Sequence, residues 1–168
     1  MRKILVIDTS ILCVWLDVPG KETCGSQNDL WDKARVERTL DAEKEQGALF
    51  VLPLAVIIET GNHIAQSQNA WECANALSDI IRKSLDTESP WARFSLQDVL
   101  WSAENLHKLA NEWPDYAKGG FSIGDMTIKK VAEFYAEASY TVCILTGDQG
   151  LKAHESSVNL PIPRRYKK

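Results

Sequence analysis

The chain has 168 residues, 45% of them hydrophobic and 25% charged, which is typical of a single globular domain that can fold around its own core. Its net charge of −4 is not the basic excess that nucleic-acid-binding proteins usually show. It has no apolar run near the ~20 residues of a membrane span, no signal-peptide pattern and no zinc-type spacing of its four cysteines. We therefore expect a cytoplasmic protein that does not associate with membranes, with its thiols reduced.

The first predicted elements are a buried strand and a short helix. Residues 4–7 are continuously apolar, which indicates a central strand of a parallel sheet, buried on both faces. A helix is predicted at 10–16, then a polar loop at 18–27 and a helix from 28 or 29 to 46. Asp8 follows the strand. It can cap the next helix, or it can belong to a ligand site, because open α/β sheets bind ligands at this edge.

The rest of the chain alternates helices with buried strands. Strands are predicted at 48–52 and 141–146, and helices at 54–65, 69–85, 96–113 and 123–138. Residues 114–120 are predicted to form a loop, and a short helix reaches His154 before a brief edge strand at Val158 and Leu160. This order predicts an α/β fold, a central parallel sheet flanked by helices in three layers. The inward stripe expected on helix 96–113 is Leu96, Val99, Leu100, Ala103, Leu106 and Ala110, and that on helix 54–65 is Leu54, Ile57, Ile58, Gly61, Ile64 and Ala65.

Four acids occupy comparable positions in this order. Asp8 ends the first strand, Glu59 lies in the helix after the second, Asp125 stands at the start of helix 123–138, and Asp148 follows the last strand. Each has an ordinary alternative: a helix cap, a capping box with Ser122, or an acid on a helix flank. A parallel sheet would nevertheless bring all four together above the strand ends.

Such a cluster has a chemical use. Crowded carboxylates raise one another's pKa unless positive charge lies among them, and oxygen ligands suit Mg²⁺ or Mn²⁺. One or two such ions can activate a water and stabilise the leaving oxygen in phosphodiester cleavage. With four acids assigned to metal, 19 basic and 19 acidic residues remain, so the net charge no longer argues against a nucleic-acid substrate.

The segments Ile7-Asp8-Thr9-Ser10, Glu59 in its helix, Gly124-Asp125 and Leu145-Thr146-Gly147-Asp148 resemble the motif set of the PIN-domain nucleases. This family includes the VapC-like toxin ribonucleases of toxin–antitoxin pairs. The resemblance covers Lys3 to about His154, although the helical stretch between Glu59 and Asp125 is longer and richer in tryptophan than in compact toxins. It implies a PIN-like three-layer fold, Mg²⁺ or Mn²⁺ bound by the four acids, and assistance from the hydroxyls of Thr9, Ser10 and Thr146. It also implies RNA hydrolysis that leaves a 5′-phosphate.

The resulting hypothesis is a single PIN-like nuclease domain over residues 1–163 with a basic tail at 164–168. It would be a metal-dependent endoribonuclease and the toxin of a pair, with RNA and an antitoxin as partners. A non-catalytic binding module of the same fold and a nuclease acting on structured DNA are the alternatives, and a homodimer is left open. The predicted RNA contacts are Lys129, Lys130, Lys152, Arg164, Arg165, Lys167 and Lys168.

Overall fold

The computed structural model describes residues 2–158 of the chain. Within them, the predicted strands and helices occur in the predicted order, together with a short hairpin at residues 23–32 that the sequence does not predict and a predicted helix that is divided in two. In chain order the elements are β1 Lys3–Ile7, α1 Thr9–Trp15, β2 Thr23–Cys24, β3 Trp31–Asp32, α2 Lys33–Glu45, β4 Leu49–Val51, α3 Leu54–Ala65, α4 Ala70–Leu85, a 3-10 helix Phe94–Trp101, α5 Ala103–Ala117, α6 Ile123–Glu137, β5 Thr141–Leu145, α7 Gln149–Lys152 and α8 Glu155–Val158.

The core of the fold is a three-stranded parallel sheet in the order β4-β1-β5. The central strand β1 pairs with β5 from Lys3–Thr141 to Ile7–Leu145, and with β4 through Val6–Val51. Ile4 to Ile7 have no exposed surface, because helices cover both faces of the sheet. The predictions of an α/β fold and of a central, doubly buried first strand are confirmed. The carboxyl ends of all three strands meet at one edge of the sheet.

Helices α1, α3, α4 and α6 lie within one or two residues of their predicted bounds. The apolar spacing of Ile128, Val131, Ala132 and Tyr135 predicts the inner face of α6, and all four residues are buried. The predicted face of α3 is rotated, because Val56, Thr60 and Ile64 are its buried residues and Ile58 is 55% exposed. Apolar residues surround α3 on most sides, so their spacing could not identify which side faces the core.

The helix predicted from residue 28 or 29 begins only at Lys33. Trp31 instead pairs with Cys24 in a two-stranded antiparallel hairpin, and the Arg35 guanidinium lies 3.8 Å from the centroid of the buried Trp31 ring. The side chain of Asp32 accepts a hydrogen bond from the Arg35 amide at 2.8 Å. Asp32 therefore caps the helix in place of Asn28 or Asp29.

The single helix predicted at 96–113 is two helices, separated at Ser102. Ser102 has extended backbone and caps α5 by accepting a hydrogen bond from Asn105 N. The break changes the phase of the helical pattern, so the predicted inward stripe is wrong: Leu96, Val99 and Leu106 are 41–50% exposed, whereas Gln97 and Leu109 are buried. The loop predicted at 114–120 is also wrong in part, because α5 continues through Pro114 to Ala117.

The predicted edge strand at Val158 and Leu160 is wrong at Val158, which belongs to the short helix α8; Leu160 lies outside the described residues. The predicted basic tail, residues 164–168, and the predicted domain end at 163 also lie outside them. None of the helices within residues 2–158 combines the length and apolar character needed to span a lipid bilayer.

Candidate functional site

Asp8 is the centre of a hydrogen-bond network at the carboxyl edge of the sheet. Its amide donates to the Leu145 carbonyl at 3.0 Å, which extends the pairing of β1 with β5 by one residue. Its side chain is the N-cap of α1, and one oxygen, Oδ2, accepts hydrogen bonds from the hydroxyls of Ser10 and Thr146, both at 2.7 Å. Asp8 is only 5% exposed. The two hydroxyls therefore fix the orientation of a largely buried carboxylate.

The same two hydroxyls connect Asp8 to Asp148. Thr146 Oγ1 accepts a hydrogen bond from the Asp148 amide at 2.9 Å, and Ser10 Oγ accepts one from the Gly147 amide at 3.0 Å. The Asp148 side chain then caps α7, with Oδ1 accepting from Gly150 N at 2.7 Å and Leu151 N at 3.3 Å. The ends of β1 and β5 are thus bound together by hydroxyl bridges that hold both acids in place.

Glu59 reaches this edge from α3. Thr9 Oγ1 donates to Glu59 Oε2 at 2.9 Å, so all three hydroxyl side chains predicted as supporting residues contact a predicted acid. The other oxygen, Oε1, lies against Gly124, where any Cβ would overlap it. Burial raises the pKa of Glu59, and the negative charges of Asp8 and Asp125 raise it further, against the lowering effect of the Thr9 hydrogen bond.

Asp125 lies at the start of α6 in a capping box with Ser122. Ser122 Oγ accepts from the Asp125 amide at 2.9 Å, and Asp125 Oδ2 accepts from the Ser122 amide at 3.3 Å. Burial raises the pKa of Asp125, the Ser122 hydrogen bonds lower it, and the charges of Asp148 and Asp8 raise it. The four predicted acids therefore interact electrostatically at this edge of the sheet. The charges of Asp8 and Asp125 act on Glu59, and those of Asp148 and Asp8 act on Asp125.

The free oxygens of these acids suit a hard cation. Within residues 2–158, each carboxylate uses one oxygen for its hydrogen bonds and leaves the other without one: Asp8 Oδ1, Glu59 Oε1, Asp125 Oδ1 and Asp148 Oδ2. No basic side chain of the described residues forms an ion pair with any of the four.

The arrangement does not form an all-protein cage for a metal. Across residues 2–158, no group of three or more His, Cys, Asp or Glu side chains is placed to hold one ion. Mg²⁺ does not require such a cage, because it usually keeps several waters and binds through one or two carboxylates together with substrate phosphates. The donor chemistry therefore fits Mg²⁺ or Mn²⁺ bound by one or two of these acids at a time.

The lysines predicted to bind RNA are already paired. Lys129 is 7% exposed and forms an ion pair with Glu133, and Lys130 pairs with Glu112 and Glu133. Lys152 Nζ lies 2.6 Å from Glu155 Oε2 and 3.0 Å from the Ile144 carbonyl. A phosphate would have to compete with these partners. The other predicted contacts, Arg164, Arg165, Lys167 and Lys168, lie outside the described residues.

Gly124 and Gly147 define the space around the acids. The sequence analysis assigned neither glycine a role of its own. A Cβ at Gly124 would meet the Glu59 carboxylate, and a Cβ at Gly147 would lie 2.7 Å from Cys24 Sγ and 2.8 Å from Gly25 N. The β2–β3 hairpin therefore packs directly on the turn before Asp148. The signal was available in the sequence, because both glycines immediately precede a predicted acid.

Comparisons of the chain with sequence models of protein families, with curated proteins and with solved structures find no match. The protein class that the structure itself defines is an α/β domain with a three-stranded parallel sheet. Asp8, Glu59 and Asp148 stand on the segments that follow strands β1, β4 and β5. Asp125 stands in the capping box at the start of α6, which follows α5.

Proposed function

We propose that the protein is a PIN-like, metal-dependent nuclease that hydrolyses RNA phosphodiester bonds. The observation that carries the proposal is geometric: Asp8, Glu59, Asp125 and Asp148 lie at one edge of the sheet, and within residues 2–158 each keeps one carboxylate oxygen without a hydrogen bond. Burial, and then the charges of neighbouring acids, raise the pKa of Glu59 and of Asp125, although His63 partly offsets this effect at Glu59. Holding such carboxylates close together is unfavourable unless a cation binds there. Sites that tune carboxylates in this way are often functional.

Asp8, Glu59, Asp125 and Asp148 would hold one or two Mg²⁺ or Mn²⁺ ions. A bound ion would supply activation of a water and stabilisation of the charge that develops on the phosphate. The chain supplies the positions of the ligands. Ser10 and Thr146 orient Asp8, and Thr9 orients Glu59. Gly124 leaves room for the Glu59 carboxylate beside α6.

RNA as the substrate, a 5′-phosphate product and a toxin role with an antitoxin partner rest on the resemblance of the four motifs to PIN-domain toxin ribonucleases. A short upstream reading frame for a small DNA-binding protein would support the toxin role. The two alternatives, a non-catalytic module and a nuclease for structured DNA, are separated from this proposal by the activity assay.

The assay incubates purified wild type and Asp8→Asn with single-stranded RNA, single-stranded DNA and a branched DNA, each with Mg²⁺, Mn²⁺ or chelator. We expect wild type to cleave RNA only with metal. Asp8→Asn should lower the rate by roughly 10²- to 10³-fold or more. The fold should persist, because the asparagine oxygen can still accept from Ser10 and Thr146.

Asp79→Asn is the matched control, since Asp79 is an exposed acid paired with Arg82 on α4. It should cleave like wild type. Cleavage by Asp8→Asn at the wild-type rate would remove Asp8 from the site. Cleavage of the branched DNA alone, or of nothing, would favour one of the two alternatives.

A further inference from the structure

Three partly exposed aromatic rings pack together near the acids: Tyr116, Phe121 and His154, here called the aromatic triad. The ring centroids of Phe121 and His154 are 4.6 Å apart, those of Tyr116 and Phe121 are 5.7 Å apart, and those of Tyr116 and His154 are 5.8 Å apart. Every ring contacts both others. The triad is therefore one compact aromatic surface, built from α5, the loop before α6, and the turn after α7.

The triad joins the two segments that carry Asp125 and Asp148. Phe121 immediately precedes Ser122, whose amide donates to the Asp125 carboxylate at 3.3 Å. His154 follows α7, a helix of four residues that begins at the Asp148 cap and is only ~6 Å long. The contact between Phe121 and His154 thus lies within a short distance of both acids along the chain.

Neighbouring residues fix the position of the triad. The lysine nearest to it is already paired, so we assign the triad no phosphate contact. Trp113 Nε1 donates to the Phe121 carbonyl at 3.0 Å, which fixes the loop to α5. Lys129 Nζ lies 5.6 Å from the Tyr116 ring centroid, but it is buried and paired with Glu133. What the triad offers a ligand is ring surface. Aromatic rings of this kind stack on unpaired nucleobases and accept any base, because every base has a π-face.

We infer that the aromatic triad is a stacking subsite for one unpaired base of a single-stranded nucleic acid whose phosphate lies at the acids. The inference rests on the proposed nuclease function, which places a phosphodiester at Asp125 and Asp148. It also gives a reason for preferring single strands, because the bases of a duplex are already stacked on each other. The rings would hold the base that neighbours the reacting phosphate, whatever its identity.

The experiment measures the binding of a fluorescent single-stranded RNA with cleavage-resistant linkages in the presence of Mg²⁺, so that a cation is available to the acids and the RNA stays intact. Phe121→Leu and His154→Gln remove one ring each while keeping apolar bulk or polarity. Tyr140→Leu is the matched control, because Tyr140 precedes β5 at the opposite edge of the sheet and contacts only Tyr135 among the rings described. The three variants and wild type are also tested on an RNA of the same length in which every nucleotide is abasic, because a subsite that accepts any base can bind an RNA in any register.

Both ring variants should bind the intact RNA roughly 5- to 150-fold more weakly than wild type, the range expected for losing one stacked base. The fully abasic RNA should bind wild type more weakly by a similar factor, and wild type and the ring variants should bind it equally. Tyr140→Leu should respond like wild type. If Phe121→Leu melts much earlier than wild type, His154→Gln alone decides, since it changes a partly exposed turn residue.

The inference is overturned if the ring variants bind the intact RNA as tightly as wild type, or if the difference between them persists on the fully abasic RNA. A wild type that cleaves RNA with metal but shows this result keeps the proposed function and loses the subsite. A wild type that shows base-dependent binding through the rings without cleaving any substrate keeps the subsite and loses the nuclease. If wild type neither binds nor cleaves RNA, both are wrong.

Discussion

Gly124→Ala should abolish most of the activity while leaving the stability of the fold nearly unchanged. Gly124 has ordinary helical backbone at the start of α6, so alanine meets no backbone strain there. The added Cβ would overlap Glu59 Oε1 and come within 3.1 Å of Glu59 Cδ. The Glu59 carboxylate must therefore swing away from α6 and from its hydrogen bond with Thr9.

The expected magnitudes follow from these contacts. Replacing a helical glycine with alanine stabilises by up to about 1 kcal/mol, and losing the Thr9–Glu59 hydrogen bond costs about 0.5–1.5 kcal/mol. The two effects nearly cancel, so the melting temperature should stay within roughly 4 °C of wild type. A carboxylate displaced by about 1 Å from its working position can cost about 10²-fold in rate. Activity should therefore fall far more than stability.

Gly61→Ala is the matched control, because Gly61 lies two residues from Glu59 on α3 and an added Cβ there meets nothing within 4 Å. It should stabilise the fold by roughly 0.5–1 kcal/mol and leave activity unchanged. The measurements are thermal melts and metal-dependent cleavage of single-stranded RNA for both variants. Wild-type activity in Gly124→Ala would refute the reasoning that Glu59 must remain beside Asp125.

Two further predictions concern the titration of the acids. Asp125→Asn should raise the melting temperature of the metal-free protein at pH 7 but not near pH 3. Because the pKa of Asp125 is raised in the folded state, the folded state binds more protons than the unfolded state. Wild type therefore loses stability as the pH rises through the range in which Asp125 titrates. Excess Mg²⁺ should then stabilise wild type more than the variant; equal melts under every condition would contradict a shared cation site. Thr9→Val should shift the acid limb of the pH–rate profile upward, because the Thr9 hydrogen bond holds the pKa of Glu59 down and the carboxylate must be ionised to bind metal. An unchanged acid limb would show that Glu59 is not the group that titrates.

The sequence predicted the sheet well because its signals are local and unambiguous. The continuous apolar run of β1 and the similar run of β5 indicate buried strands of a parallel sheet, and β1 was correctly predicted to be central. The order β4-β1-β5 was not predicted. The middle of the chain was harder. Ser102 and Asp32 act as caps that divide or delay a helix, and such caps compete with equally plausible ones nearby, such as Asn28. At the start of α2, helix propensity alone does not choose between Asn28 and Asp32. The choice also depends on the tertiary packing of the Trp31 ring against the Arg35 guanidinium, which the sequence pattern does not reveal.

For the proposed site, the sequence pointed to the four acids as candidates but could not specify how they would be held. Asp8, Asp125 and Asp148 were each open to two interpretations, helix cap or ligand, and the hydrogen bonds remove the conflict. Every cap uses a single oxygen and orients the carboxylate, while the second oxygen has no hydrogen bond among the described residues. Capping is therefore compatible with the proposed cation site, since a carboxylate fixed by backbone amides and hydroxyls would lose little further freedom on binding a cation. Asparagine at these positions can keep the cap and remove the charge, which is why the substitutions chosen above separate the two roles.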